Sequence, residues 1–487
     1  MGFKEEVKFA RFLTYGVRGT LAVSEHLKRH GHSIVELERY AAGNKIWGVR
    51  PKRLRMPDLL CLRCGRRFES KGKSKLELKL SHGGEGREWF SGGMRDDDVF
   101  AFVWIGGERE DDPIGRPFYV TRGVLEAQID QVKAGTRKAI ADGSEADISW
   151  PSWVPSYGGR VVAIEGNVIT VERAEGGQRT YPARWTPALH RQVGEEFEGG
   201  RDIVASVVPP ADVLCAGEKW ALGTDLWSDD VDDRYAAIKA ARFLGPEDVE
   251  DELIAIADDT GEDWRVRLEA TAALAQSGSG EWTRRIRDVA AGAQAPLDRQ
   301  MEAVFVLSEL GTETAVEALV DVAGAADGRH EEVRAAAVWG LGVGRLPSPV
   351  AVALFLDDQV DRVALHAAAS LPDELTEPLM ELLVGWLRRG NPRQAALAAH
   401  VLARHAELPT LVEIVGDREA AGRLNALNAL GSLPRAQVEP WVEPLSADDR
   451  QALEALWVAE DDWLVTEENE GALDILGAQR LRRTGLL

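Results

Sequence analysis

Cysteine is scarce. There are three (Cys61, Cys64 and Cys215) in 487 residues. So few thiols exclude a disulfide framework and lead to the expectation of a reducing, cytoplasmic setting. No apolar run approaches the roughly 18–20 residues that cross a bilayer. The opening, MGFKEEVKFARF, alternates charge with apolar groups where a signal peptide needs an unbroken apolar region. Met-Gly at the start is not followed by the Ser or Thr at position six that myristoylation requires. Lysine is absent after Lys239.

The net charge of −22 hides a division. Residues 1–95 hold 21 of the 58 Lys+Arg and 10 of the 80 Asp+Glu, which is +11; the rest hold 37 and 70, which is −33. A basic first domain on an acidic body suits phosphate binding by the first domain alone. At ~150 residues per domain, the length predicts about three domains. The composition shifts place them at 1–110, 111–225 and 226–487.

What is present in the first domain centres on Met56–Lys79, MPDLLCLRCGRRFESKGKSKLELK. Leu59–Leu62 and Arg66–Glu69 read as two short strands, with Arg63-Cys64-Gly65 as the turn. Side chains two apart on a strand share a face, so Glu69 and Lys71 point the same way. The hairpin returns Asp58 beside them. Two carboxylates and a lysine at one sheet edge can hold a divalent metal and activate water against a phosphate.

Pro57-Asp58…Glu69-Ser70-Lys71 resembles the PD-(D/E)xK motif of restriction-endonuclease-like nucleases, over about the first hundred residues. The resemblance implies an α/β nuclease-like domain in which Asp58 and Glu69 hold Mg²⁺ or Mn²⁺. Lys71 would orient or deprotonate the water, with Lys73 as a substitute. Glu77-Leu78-Lys79 is a rival register on a cleaner strand, and Glu38 is a candidate further acid of the kind the superfamily uses. His82 ends that strand, where it can touch phosphate or serve as a loop residue. Lys52, Arg53, Arg55, Arg66, Arg67 and Lys75 are candidate contacts to a DNA backbone.

Cys61-Leu62-Arg63-Cys64-Gly65 is half of a zinc knuckle. A structural zinc takes four ligands. With one further cysteine and His82 as the nearest downstream histidine, a full ribbon within the chain is not expected. The pair reads as buried or hairpin-stabilising thiols, as a metal site completed by His82 or a second subunit, or as a redox pair.

Residues 121–141 read as a helix. Arg160–Ile164, Asn167–Glu172 and Gln178–Tyr181 follow as β-branched runs between glycine turns, the pattern of a small β-barrel-like module. Trp150, Trp153, Tyr157 and Trp185 cluster around it, as core or as a base-stacking surface.

From Ser228 on, small-residue helices recur at about 30 residues, most opening with an acid or other polar residue and all with an arginine near the start: Arg234, Arg267, Arg299, Arg334, Arg362, Arg393 and Arg423. Such helix pairs form an all-α solenoid. The pattern resembles HEAT repeats of the short PBS-lyase type. The repeated arginines are expected to form salt bridges within their own repeat, with the acidic residue nearby; the alternative is that they line a groove for DNA or protein.

The whole is a multidomain α+β chain. The reading that follows is a Mg²⁺-dependent DNA endonuclease of a prokaryotic restriction or antiviral defence system, able to dimerise, with protein subunits on the solenoid. The alternative is a catalytically inactive DNA-binding scaffold whose HEAT repeats assemble a complex.

Overall fold

The computed structural model describes residues 3–37, 47, 54, 56–82, 94–107, 109, 111–129, 133–135, 146–217, 220, 222–324, 328–372 and 374–460. Helix α1 (Phe3–Arg29) ends where Gly31 takes a left-handed φ of 87°. Strands β1 (Ile34–Glu36), β2 (Leu59–Cys61), β3 (Arg67–Lys73), β5 (Val99–Trp104) and β6 (Phe118–Thr121) form one sheet in the order β1-β2-β3-β5-β6. The β2–β3 hairpin pairs Leu59 with Phe68 and Leu60 with Arg67. β3 and β5 run parallel.

Alternation along β5 buries this sheet on both sides. Val99, Ala101 and Val103 face Tyr15, Val23 and Leu27 of α1. Phe100 and Phe102 face Leu76, Leu78 and Leu80 on the other side. α1 lies almost on the backbone of β3. A Cβ at Gly72 would meet the Tyr15 carbonyl oxygen at 2.2 Å, and one at Gly19 would meet Gly72 Cα at 2.9 Å. Only glycine at both positions permits that approach.

The sheet runs past residue 110, because β6 is its edge. The helix expected over 121–141 is much shorter: α2 spans Arg122–Ala127. β7 (Lys133–Gly135) then joins β8 (Ala146–Ser149) and β4 (Lys79–His82) in a three-stranded sheet. Tertiary pairing with a strand from the first hundred residues overrides local helical pattern there.

The expected β-barrel-like module is corrected: these strands do not close. β12 (Gln178–Pro182), β11 (Val168–Arg173), β10 (Gly159–Glu165) and β14 (Glu196–Phe197) form one sheet; β13 (Ala188–Leu189), β15 (Ala205–Ser206) and β9 (Ser152–Trp153) form another. Four of the seven strands have two residues, too few to carry a hydrogen-bond ladder round a barrel. The two sheets share a small core of Val161, Ile169, Val171, Phe197 and Val204. Trp153 stacks on Tyr181 at 4.3 Å, and Trp150 is buried with its Nε1–H donated to the Leu125 carbonyl.

After α3 (Leu222–Asp225), the seven expected first helices are present: α4 (Val231–Leu244), α6 (Trp264–Ala275), α8 (Leu297–Leu310), α10 (Glu331–Val343), α12 (Asp361–Ala369), α14 (Pro392–Arg404) and α16 (Arg423–Gly431). Between them run α5 (Glu250–Asp258), α7 (Gly280–Ala291), α9 (Glu313–Gly324), α11 (Pro349–Ala353), α13 (Glu377–Arg389) and α15 (Leu408–Gly416). α17 (Arg435–Val438) and α18 (Ala447–Glu460) close the described array. One apolar core is continuous from α6 to α18.

The sheet region and the array meet directly. Leu37, Leu54, Met56 and Leu60 pack with Ala236, Ala237 and Ala240 of α4. Trp47 reaches the array core, stacked on His366 at 4.8 Å and edge-on to Trp339 at 6.3 Å. Among the described residues, no helix is long and apolar enough to cross a membrane.

Candidate functional site

The acid and lysine expected at a sheet edge lie at the β2–β3 hairpin, but β3 is the middle strand of the five and not an edge. Asp58 precedes β2, and its carboxylate accepts a hydrogen bond from the Ser70 N–H at 2.7 Å. Glu69 and Lys71 share a face of β3, and each is the other's ion-pair partner. Both are partly exposed, at 21 % and 33 %. Lys73 ends the strand. Glu77 lies outside any strand and pairs with the exposed Lys75; Lys79 and His82 are on β4, in the other sheet. Glu38, Lys52, Arg53 and Arg55 lie outside the described residues.

Of the expected DNA contacts, Arg67 is turned inward and Arg66 is held by backbone carbonyls. Arg67 is 1 % exposed, ion-paired with Asp98 at 2.8 Å and Asp233 of α4 at 3.1 Å. Its guanidinium serves the junction with the array and cannot reach a phosphate. Arg66 donates to the backbone carbonyls of Asp97 and Asp212, at 3.4 and 2.6 Å. Asp98 is pushed above the usual carboxylate range by burial, against the pull of Arg67.

The half-knuckle is completed within the chain by residues far from it in sequence. His32, Cys61, Cys64 and Cys215 each offer a ligand atom, and these atoms all lie within 4.8 Å of one another. Among the described residues, they are the one such group of three or more His, Cys, Asp or Glu. The expectation that the chain itself does not bring four such ligands together is therefore corrected, and His82 is not among them. His32 follows the α1 terminus, Cys61 ends β2, Cys64 is in the hairpin turn, and Cys215 lies on the extended stretch before the array. The Cys61 thiol is drawn down to about 3 by hydrogen bonding from Cys64, against burial and with help from His32. Cys64 is pushed up correspondingly by its bond to Cys61. Spacing alone could not reveal this set, because Cys215 stands 151 positions beyond Cys64 and closes on it only through the fold.

In the array, the repeated arginines do two jobs. Arg267, Arg334 and Arg423 donate Nε–H to Ala257, Ala323 and Val415, the last-turn carbonyls of α5, α9 and α15. Cations are favoured at helix C-termini, where carbonyls lack intrahelical partners. Arg234, Arg334 and Arg423 also pair with Glu262, Asp358 and Asp449, acids 24–28 positions onward, near one repeat. Arg299 instead lies over the Trp264 ring at 5.1 Å. At α4, α6 and α8, Lys239, Arg242, Glu269 and Glu309 form a buried ionic cluster. Around α11 the surface is apolar: Leu346, Val350 and Leu354 are 40 %, 80 % and 68 % exposed.

No protein-family model and no curated protein matches the chain. Solved structures similar to it include the CpcE–CpcF complex of phycocyanin lyase from Nostoc sp. PCC7120. That match is 20 % identical, covers 52 % of this chain and 99 % of that one, and has a TM-score of 0.23. The YibA protein of E. coli is 12 % identical over 54 % of this chain and 91 % of its own, with a TM-score of 0.26. A designed armadillo repeat protein is 18 % identical over 53 % and 97 %, with a TM-score of 0.14. These findings correct the expectation of a DNA endonuclease. The similar structures include a lyase complex and a designed armadillo repeat protein. What stands is helical-repeat character joined to an α+β N-terminal part.

Proposed function

We propose that the chain is a helical-repeat scaffold that binds a protein partner through the surface of its array. The observation that carries this is the apolar row around α11. Val350 and Leu354 are one turn apart on one face, with Leu346 just before the helix, and all three face solvent. Elsewhere the array exposes large apolar side chains singly, at Leu244, Leu382, Leu424 and Trp441, whereas these three fall within nine positions, so the row marks an interaction surface. The −33 charge of residues 96–487 favours a partner with basic groups around an apolar anchor, and disfavours nucleic acid there. The internal architecture fits a rigid platform: arginines tie successive units, and the N-terminal sheet is fastened to α4 by buried ion pairs.

The test is a photo-crosslinking residue at Val350 in the native host, identification of the adduct, and calorimetry with the purified partner. Val350→Asp/Leu354→Asp is expected to weaken binding at least ~10-fold, the scale of one lost apolar anchor, with an unchanged melting curve. Equal binding by wild type and variant would refute the assignment of this surface.

A further inference from the structure

Four protein ligand atoms converge on one point in the N-terminal part, and each is aimed there by its surroundings. Tetrahedral zinc, with Zn–S of about 2.3 Å and Zn–N of about 2.0 Å, puts ligand atoms roughly 3.5–3.8 Å apart. His32 Nδ1 and Cys64 Sγ are 3.7 Å apart. His32 Nε2 lies 3.0 Å from the Val213 carbonyl oxygen. A carbonyl can only accept, so Nε2 carries the proton and the Nδ1 lone pair faces the sulfurs. A second nitrogen bound to a backbone carbonyl is the usual support of a metal-ligating histidine.

The hairpin turn supplies the rest. The Gly65 N–H donates to the Cys61 carbonyl and the Cys61 N–H to the Arg66 carbonyl, each at 2.9 Å, which fixes the turn that carries both sulfurs. The turn needs Gly65, at φ 72°, where a Cβ would also strike the Trp220 ring at 2.8 Å. Cys215 is delivered by its own N–H, bonded to the His30 carbonyl at 3.1 Å. Arg63 donates to the Gly31 carbonyl at 2.9 Å and so ties the hairpin turn to the residue before His32.

We propose that His32, Cys61, Cys64 and Cys215 bind one zinc ion in a closed, four-ligand structural site. Four protein ligands leave no open position for water or substrate, so the ion supports the fold and does no chemistry. It joins three strands of chain that only the tertiary fold brings together: the end of α1, the β2–β3 hairpin and residues 211–217. The last leads straight to Trp220, whose N–H donates to the Arg63 carbonyl and whose Nε1–H donates to Asp225 of α3. Zinc therefore locks the N-terminal sheet to the start of the array. This inference is independent of the partner-binding surface around α11.

The experiment is elemental analysis of the full chain, purified under reducing conditions without chelator from zinc-supplemented culture. About one zinc per chain is expected. Replacement by Co²⁺ is expected to give the visible bands of tetrahedral thiolate cobalt. Cys215→Ser and His32→Ala are each expected to weaken zinc binding at least ~100-fold in competition with a chromophoric chelator. Should these variants fail to fold, stepwise titration of wild-type thiols with an organomercurial, releasing the zinc as three thiols react, carries the same information. Zinc below about 0.1 per chain after reconstitution, iron in its place, a Cys61–Cys64 disulfide in the metal-saturated protein, or full zinc retention in both variants would each overturn the assignment.

Discussion

Replacing Arg242 with alanine is expected to be among the most destabilising single changes in the array. Arg242 of α4 has no exposed side-chain surface. Its guanidinium lies 3.1 Å from Glu269 of α6 and 2.9 Å from Glu309 of α8, and its Nε donates to Gln276 Oε1 at 3.3 Å. Lys239 reaches Glu309 at 3.3 Å. Burial works against the charge on Arg242, but the two carboxylates more than restore it, and its pKa is raised. Arg242→Ala strands two buried carboxylates short of a cation, which costs about 3–5 kcal/mol. Replacing the cluster as a whole (Lys239→Met, Arg242→Leu, Glu269→Leu, Glu309→Leu) removes every charge together. Such replacements are neutral or stabilising by about 1–4 kcal/mol. Repeat arrays need not unfold in one step. The assay is therefore urea unfolding followed by both circular dichroism and hydrogen exchange of α4, α6 and α8. A loss below about 1 kcal/mol for Arg242→Ala, or a quadruple variant as unstable as the single one, would refute the reasoning.

Other expectations follow from the same geometry. His190 and His366 are buried, and desolvation depresses each to about 4. The folded protein then binds fewer protons than the unfolded chain, so this stability is complete above about pH 6.5 and is lost as pH falls toward 4, at up to ~1.4 kcal/mol per unit for each group. His366→Phe should flatten the decline in melting temperature between pH 6.5 and 5, and an unchanged slope would count against it. Trp47→Ala empties a site between His366 and Trp339 and should cost about 3–5 kcal/mol, seen as a lower melting temperature and faster proteolysis of the N-terminal part. Arg334→Ala removes both the cap on α9 and the bond to Asp358 and should cost about 2–3 kcal/mol. Arg334→Lys should restore only part of it, since a point charge cannot serve the carbonyl and the carboxylate with one planar fork. Urea midpoints of the three proteins settle that comparison.

The array was readable residue by residue. Seven first helices stand where the spaced arginines put them, because helical periodicity and nearest-neighbour stacking are local properties. The β2–β3 hairpin was readable too, from Gly65 and the flanking apolar residues. What those arginines touch was not: the acids they pair with sit about one repeat away instead of within the same repeat, onward for Arg234, Arg334 and Arg423 and back for Arg362 and Arg393, and the carbonyl caps leave no trace in composition. Misreadings arose where distant strands intervened. Residues 133–135 pair with β8, which in turn pairs with β4; that partner sheet, absent from any local window, ended α2 at Ala127. Arg67 looked like one more cation in a basic run, yet Asp98 and Asp233 claim it inside the molecule.

Sequence alone determined the solenoid and the hairpin, because each depends on periodicities of two or 3.6 residues and on turn chemistry within a few positions. Tertiary structure alone decided which charges face solvent, that the small sheets stay open, and that His32 and Cys215 close on the Cys61–Cys64 turn. Those outcomes depend on segments up to 183 positions apart meeting in space. No local pattern encodes such a meeting: it is set by which surfaces the whole chain can bury together.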